Sequence, residues 1–464
     1  MSLALSTIGP KAVDDISHAY NEPDWLRKHR RNSLSIYEEL PMETSPLYTK
    51  YTDAGRMDPR QVSISADSDG SVPEFLKKRL GELTGEACLV QMGTGISASV
   101  PEELQSQGLV ISSIADALKN NGSLVREALE SSNPREDKFT ALNNAAFNSG
   151  FFIHVPRGLV LERPIHVVSS LSVDGTSTIS RNIISADEAS RSTIVQEIYS
   201  PHAQKQQAYL ELLNARVAAG AQIDATTLQV MDADSVNFST RRTDVGHDGK
   251  VNWYLGLFGA MLSRYRIDYH LNGPGAGTSD SEVVFGSSSQ SFDIQSNINH
   301  NAHDTEGRVT EKSILRNSSK SLFKGMIRIM ENAAKSRSFL SGRSILLDPG
   351  AKSESIPGLE IFTNDVKATH SASVAQIDEE QIFYLQTRCL SKQEAERTIV
   401  EGFLEPMSRK MSYQVRAWIA YLIESKWEGR ELRINTDKEL TKFVEVEETR
   451  YNENAEIEQH YKYR

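Results

Sequence analysis

The sequence predicts a mainly β protein with a right-handed parallel β-helix core and helical modules on both sides. Small or polar turn residues recur about every 28 to 30 positions through the second half of the chain, beside β-rich stretches. A second series of turn residues falls almost midway between them, so the half-period is roughly 14 residues, which suits one strand plus one turn. Each full repeat is therefore predicted to be one coil that contains two strands.

The two series of turn residues also indicate how the strands pair. The first series is Ser190, Gly220, Gly249, Gly277, Gly307, Lys335 and Asn364, and the second is Ser235, Ser263, Ser291, Ser321 and Ser353. An antiparallel meander is the alternative arrangement. Because every second turn has the same character, strands one repeat apart are expected to stack in parallel, as about seven or eight coils of a solenoid. Right-handedness follows from the general crossover preference.

The pattern divides the chain into four parts. Residues 1–150 form an N-terminal helical or mixed module, 151–375 the β-helix core, 376–430 a C-terminal helical module and 431–464 a charged, solvated tail. Open solenoid ends expose unpaired strand edges, so we expect the helical modules to cap them.

Three helix starts are predicted in the C-terminal module. Asp378 is placed to cap the first helix, and Ser391 with Glu394 forms a capping box that opens the second. A third amphipathic helix is expected over residues 412–427, with Gly429 ending it.

Composition and charge exclude several classes of partner. Lys and Arg total 51 against 62 Asp and Glu, a net charge of −11, which argues against a nonspecific grip on nucleic acid or anionic lipid. The first ten residues lack a basic start and an apolar run, which argues against secretion. The helical apolar run at 417–423 is too short to span a bilayer. We predict a cytoplasmic protein.

Cysteine usage limits what the chain can hold on its own. Cys88 and Cys389 are the two cysteines, so a disulfide framework and a cluster held by this chain's thiolates alone are both excluded. Free cysteine is commonly a buried small hydrophobe, and we expect both to be structural.

Two further motifs suggest ligand chemistry but are better explained by turns. His300, His303 and Asp304 resemble a small metal site, yet residues i and i+3 on a strand face opposite ways, so turn and strand roles are favoured. The segment 273–281, GPGAGTSDS, lacks the Lys and the following helix of a phosphate-binding loop. Its glycines are expected to form turns between coils.

His370 is the main chemical candidate, at the end of a predicted strand in a segment poor in titratable groups. A neutral imidazole is a competent iron ligand that can supplement thiolates from a partner. The alternative is a histidine packed at a domain seam with a satisfied hydrogen bond.

Several stretches resemble the SufB/SufD family of iron–sulfur cluster assembly proteins. They are EPDWLRKHR at 22–30, DKF at 137–139, residues 151–165, residues 356–388 and GFLEPM at 402–407. The resemblance implies a right-handed parallel β-helix with helical modules at both ends. It also implies a complex of SufB, SufD and the ATPase SufC that builds a nascent cluster.

Within that resemblance the chain is closer to SufD. SufB-type proteins carry a Cys about 28 residues before the last coil's His and a Glu directly after it. Here the His is His370, the upstream region is Ser341-Gly342-Arg343 and the following residue is Ser371, so both SufB marks are missing. Ala368 also replaces a residue that is often Cys. The resemblance implies a noncatalytic subunit, with a cluster shared transiently with SufB and His370 as ligand or interface group.

The C-terminal helices are the predicted docking face, because the resemblance places SufC there. Acidic and apolar side chains suited to a protein partner are concentrated in this segment. The docking candidates are Asp378, Glu379, Glu380, Phe383, Tyr384 and Ile399. A solenoid cap is the alternative role. A homodimer in the absence of partners, a SufB-type scaffold that carries the cluster itself, and a carbohydrate-active β-helix enzyme also stay open.

Overall fold

A computed structural model describes residues 2–4, 8–44, 54–65, 72–172, 174–408, 411–430, 432–433, 440, 443 and 445. The helices are α1 Pro10–Ala19, α2 Asp24–Glu39, α3 Glu74–Glu82, α4 Glu102–Ser106, α5 Ile114–Asn120, α6 Gly122–Glu130, α7 Lys138–Ala146, α8 Glu379–Gln386, α9 Lys392–Ser408 and α10 Tyr413–Trp427. The first seven strands are β1 Ser2–Ala4, β2 Ser63–Ser65, β3 Cys88–Met92, β4 Gly95–Ser99, β5 Val110–Ser113, β6 Phe151–Val155 and β7 Ile165–Ser170.

A parallel solenoid with two strands in each coil forms the centre of the molecule, as the repeat predicts. Its strands are β8 Thr176–Ala186, β9 Arg191–Tyr199, β10 Gln207–Val217, β11 Gln222–Gln229, β12 Ser235–Val245, β13 Lys250–Leu257, β14 Leu262–Leu271, β15 Gly277–Gly286, β16 Ser291–His300, β17 Glu306–Leu315, β18 Lys320–Ile329, β19 Arg337–Leu346, β20 Lys352–Ile361 and β21 Lys367–Gln376. Even-numbered strands from β8 to β20 form one sheet, and odd-numbered strands from β7 to β21 form the other.

The register explains the sequence period. Each step from one strand to the next in the same sheet advances one coil, as in the series Lys250, Gly277, Glu306, Arg337 and Lys367. The turns that separate the strands contain residues in the left-handed region, including Gly220, Asp248, Gly275, Asp304 and Lys335. These residues coincide with the first predicted series of turns or lie within three positions of it.

Strand alternation fills the lumen of the solenoid. Val251, Trp253, Leu255 and Leu257 of β13 all belong to one buried core, with their register partners on neighbouring coils. Side chains at the intervening positions face outward. The predicted shared face of β13 is therefore the lumenal face.

The expectation that the modules on either side cap the solenoid is confirmed at the N-terminal end and is wrong at the C-terminal end. The N-terminal end is covered by strands: β3 pairs in parallel with β7 and in antiparallel with β4, while β6 pairs with β8 and β5. At the C-terminal end, no described strand pairs with the outer edge of β20 or β21. The last coil therefore presents unpaired backbone groups.

The helices instead pack along the two flanks. Helices α1, α2 and α5 to α7 share an apolar core with outward residues of the even-numbered sheet, such as Ile183 and Leu210. Helices α9 and α10 pack on outward residues of the odd-numbered sheet, including Val283, Phe285 and Ile314. An amphipathic helix buries its apolar stripe against an apolar surface, and outward apolar residues of both sheets provide such a surface on each flank.

The predicted helix starts in the C-terminal module are confirmed. Asp378 caps α8 by accepting from the backbone N–H of Glu380. Ser391 and Glu394 form the reciprocal bonds of a capping box, at 2.7 and 3.2 Å. In contrast, the predicted tail is not wholly solvated, because Leu440 is buried and Phe443 packs edge-on against Tyr421.

Among the described helices, none is both long and apolar enough to cross a membrane.

Candidate functional site

His370 lies on the open last coil. Its strand, β21, pairs in register with β19, and His370 stands directly opposite Leu340, a core residue. Register partners in parallel strands share a face, so His370 is on the lumenal side of the coil. Because no described strand follows, the imidazole is exposed, and no hydrogen bond links it to a described residue. This arrangement disfavours the alternative of a buried histidine at a seam.

The described part of the chain places no cluster of metal ligands around His370. Among the described residues, no group of three or more His, Cys, Asp or Glu side chains close enough to hold one ion includes His370. Any iron or cluster held at His370 would need ligands from outside the described residues.

The region that the resemblance matches to the SufB-type Cys, Ser341-Gly342-Arg343, falls on the neighbouring coil. Gly342 of β19 is opposite Ala372, two residues beyond His370, and faces the lumen. A Cβ added at Gly342 would lie 2.5 Å from Cδ1 of Phe323 and 2.9 Å from Oγ of Ser355. The Phe323 ring therefore occupies the space that a cysteine would need.

Apolar side chains surround the open coil. Ile361, Phe362 and Val374 are among the exposed large hydrophobic residues of the chain, and all three belong to β20, β21 or the turn between them. Exposed apolar side chains next to unpaired strand edges are typical of a surface that another protein covers.

A second candidate surface lies on α8 and α9. A shallow groove there is lined by Asp378, Glu380, Tyr384 and Ile399, all predicted docking residues. Phe383 and Tyr384 are 68% and 58% exposed. The remaining docking candidate, Glu379, lies in the first turn of α8.

The other sequence candidates fall outside both surfaces. His300 is a buried core histidine that contacts the hydroxyls of Thr305 and Ser338, and burial lowers its pKa to about 4. His303 is exposed and pairs with Asp304 at 2.8 Å. The metal site is therefore not assembled, as the strand geometry predicts.

The surroundings of the glycine-rich segment and of the two cysteines also indicate their roles. Residues 273–281 form the turn into β15, with Gly275 at positive φ and no helix following. Cys88 is buried in β3, and burial raises the pKa of its thiol to about 12, which fits a structural residue. Cys389 is exposed after α8, so the expectation that it is a buried structural residue is wrong.

The fold defines a solenoid with one open end and helices packed along both flanks. Residues 168–403 match the family model for the SufBD core domain of the SUF system for FeS cluster assembly, and residues 71–167 match the SufBD N-terminal region. The chain belongs to the SufBD family.

The similarity to individual relatives extends over almost the whole chain. The chain is 28% identical over 434 residues to an iron–sulfur cluster assembly SufBD family protein of Staphylococcus epidermidis, covering 90% of this chain and 92% of that protein. It is also 28% identical over 436 residues to a protein of the same description from Staphylococcus aureus strain USA300, with the same coverage.

Proposed function

We propose that this chain is a noncatalytic, SufD-type subunit of a cytoplasmic complex that assembles iron–sulfur clusters. It pairs through its open last coil with a SufB-like paralogue, and α8 and α9 dock a SufC-like ABC-type ATPase. The observation that carries this proposal is the unpaired edge of β20 and β21 with His370 exposed on its lumenal side.

The SufD assignment is supported by what surrounds His370. Gly342 and Ser371 occupy the positions of the SufB-type Cys and Glu, and Phe323 fills the space beside Gly342. The partner must then contribute thiolates to a cluster formed at the junction, with His370 as one nitrogen ligand or as an interface group. The nascent cluster is cargo shared with the paralogue.

The docking proposal rests on the exposed aromatic pair of α8. Phe383 and Tyr384 project beside acidic residues of the first turn, and aromatic side chains carry much of the binding energy in protein interfaces. ATP-driven association of docked ATPase subunits then strains the paired solenoids and opens the junction.

The test is co-expression of this chain with a SufB-type and a SufC-type protein, followed by native mass measurement. A complex containing all three supports the proposal. His370→Ala should assemble into the same complex yet fail to support cluster formation, because the residue is exposed and makes no described internal bond. Full cluster formation by that variant would reject its role.

Docking is tested separately. Phe383→Ser with Tyr384→Ser should release the ATPase and leave the paralogue bound, since the two surfaces lie on different elements. The matched control is Val160→Ser, an exposed apolar residue outside both surfaces. A stable iron–sulfur chromophore on the isolated chain after anaerobic reconstitution would instead favour a SufB-type scaffold, and glycan turnover would favour a carbohydrate-active enzyme.

A further inference from the structure

Three carboxyl groups lie inside the solenoid without a basic partner. Asp280 and Glu282 of β15 and Glu311 of β17 are 0%, 0% and 1% exposed. None of them forms an ion pair with a described Lys, Arg or His side chain. Burying a carboxylate without a counter-charge is strongly unfavourable, so such a group keeps a proton or binds a cation.

The three groups are neighbours in space. Glu282 and Glu311 are register partners on adjacent parallel strands of the same sheet, so their backbones are about 4.8 Å apart. Both face the lumen, because the flanking Val284 and Val309 belong to the core. Burial raises the pKa of Glu282 well above its usual value, and the neighbouring carboxyl group of Asp280 raises it further.

Each carboxyl group has one oxygen engaged and one free. Ser296 donates to Oε1 of Glu282, and Ser313 donates to Oε1 of Glu311. The hydroxyl of Tyr269 donates to Oδ2 of Asp280 at 2.9 Å. The other three oxygens are buried and receive no hydrogen bond from a described donor.

A different acid in the same lumen shows how the fold treats a purely structural carboxylate. Glu211 accepts from Arg241 at 2.9 Å, from Ser239 at 2.5 Å and from Gln196 at 2.8 Å, and these contacts hold its pKa below the usual range. The acids on β15 and β17 lack any such cation, and burial raises the pKa of Asp280 to about 7 and of Glu311 to about 8.

We propose that Glu282 and Glu311, with the hydroxyls of Ser296 and Ser313, form a binding site for a hard divalent cation inside the solenoid. Its donors are all oxygen atoms, which suit ions such as Mg²⁺, Mn²⁺ and Fe²⁺ rather than soft thiophilic metals. The cation displaces the protons that the acids otherwise carry, and Asp280 adds negative charge beside it. Under the proposed function, ferrous ion is the cation of this class that assembly consumes.

Small side chains lie between this site and the open end. The register partner of Glu311 on the next strand is Gly342, and the register partner of Gly342 is Ala372 of the last coil. The Phe323 ring stands beside Gly342, so entry requires that ring to move. Slow uptake from the open end is therefore expected.

An exposed cluster provides the matched control. The ligand atoms of His202, Asp232 and Asp234 lie within 4.8 Å of one another on two neighbouring turns. Among the described residues, this is the group of three His, Cys, Asp or Glu side chains whose ligand atoms lie this close together, but it is solvated, and His202 already contacts Asp232 at 3.3 Å. Asp234→Asn disables it without touching the lumen.

The test is a Mn²⁺ titration of the full-length chain at about pH 7, with overnight equilibration and free Mn²⁺ read by electron paramagnetic resonance. Wild type should hold one tightly bound ion, and Glu311→Gln or Glu282→Gln should weaken that site at least about ten-fold. Asp234→Asn should leave it unchanged. Loading wild type should also release at least one proton to a pH indicator.

Three results would overturn the proposal: no binding by wild type at millimolar Mn²⁺, unchanged binding by both glutamine variants, or loss of the site in Asp234→Asn. Absence of proton release when wild type is loaded with Mn²⁺ would also overturn the proposal. This result does not depend on whether a variant folds. Co-purification with a SufB-type protein does not depend on the site, so failure here and failure of the proposed function are distinguishable.

Discussion

The side-chain nitrogen Nζ of Lys426 donates a hydrogen bond to the side-chain oxygen of Gln290, 2.6 Å away, and fixes the last turn of α10 to the solenoid. It also donates to the backbone carbonyls of Phe258 and Phe285, which lie on successive coils. Burial lowers the pKa of Lys426 well below its usual value. The flank position of α10 thus depends on the hydrogen bonds of a buried lysine to neutral oxygens as well as on apolar packing.

Lys426→Met should flatten the alkaline pH dependence of stability. The unfolded chain binds a proton at this lysine more tightly than the folded chain does, so wild-type stability rises with pH up to about 10. The variant lacks this contribution. Urea unfolding at several pH values between about 7 and 10 measures it, with the exposed Lys320→Met as control. Parallel profiles for wild type and Lys426→Met would contradict the expectation.

Glu311→Gln should have the opposite pH signature. Burial raises the pKa of Glu311 in the folded state to about 8, above the ordinary 4.5, so the folded state keeps a proton that the unfolded state releases. Wild-type stability therefore falls as pH rises from about 4.5 to about 8. Without added metal, the variant should be at least about 1 kcal/mol more stable than wild type at pH 8 and nearly equal at pH 4.5. Denaturant midpoints at the two pH values decide this.

Arg241→Met should be strongly destabilising, by about 3 to 5 kcal/mol, because it leaves Glu211 buried without its cation. Adding Glu211→Gln should recover much of the loss, since both charges are then gone. Equilibrium unfolding of the two single variants and the double variant tests this. Simple additivity of the two effects would show that the pair is not coupled.

Gly342→Cys should cost about 1 to 3 kcal/mol, because its Cβ would clash with the Phe323 ring. The same substitution should cost less in a Phe323→Ala background, where the ring is absent. A double-mutant cycle by urea unfolding measures the coupling. Equal losses of stability in both backgrounds would mean that the Phe323 ring does not occupy the space beside Gly342.

Much of the fold could be predicted because its determinants are local. The recurrence of turn residues and the alternation within β13 depend on short stretches of chain, and the register of successive coils follows from their spacing. The same is true of the caps at Asp378 and Ser391, whose hydrogen bonds span three residues or fewer. The pairing of Glu282 with Glu311 could also have been predicted from the sequence, since the two residues are one repeat apart.

Some features of this protein were determined by its sequence alone, and others depended on tertiary packing. The sequence by itself determined the repeating coils, the helix starts and the absence of a cysteine set for a cluster. Only the tertiary structure decided that the helices lie on the flanks, that Lys426 is buried there, and that His370 ends on an open coil. These outcomes arise from competition between distant apolar surfaces for the same helices, and a local pattern carries no information about which surface is larger.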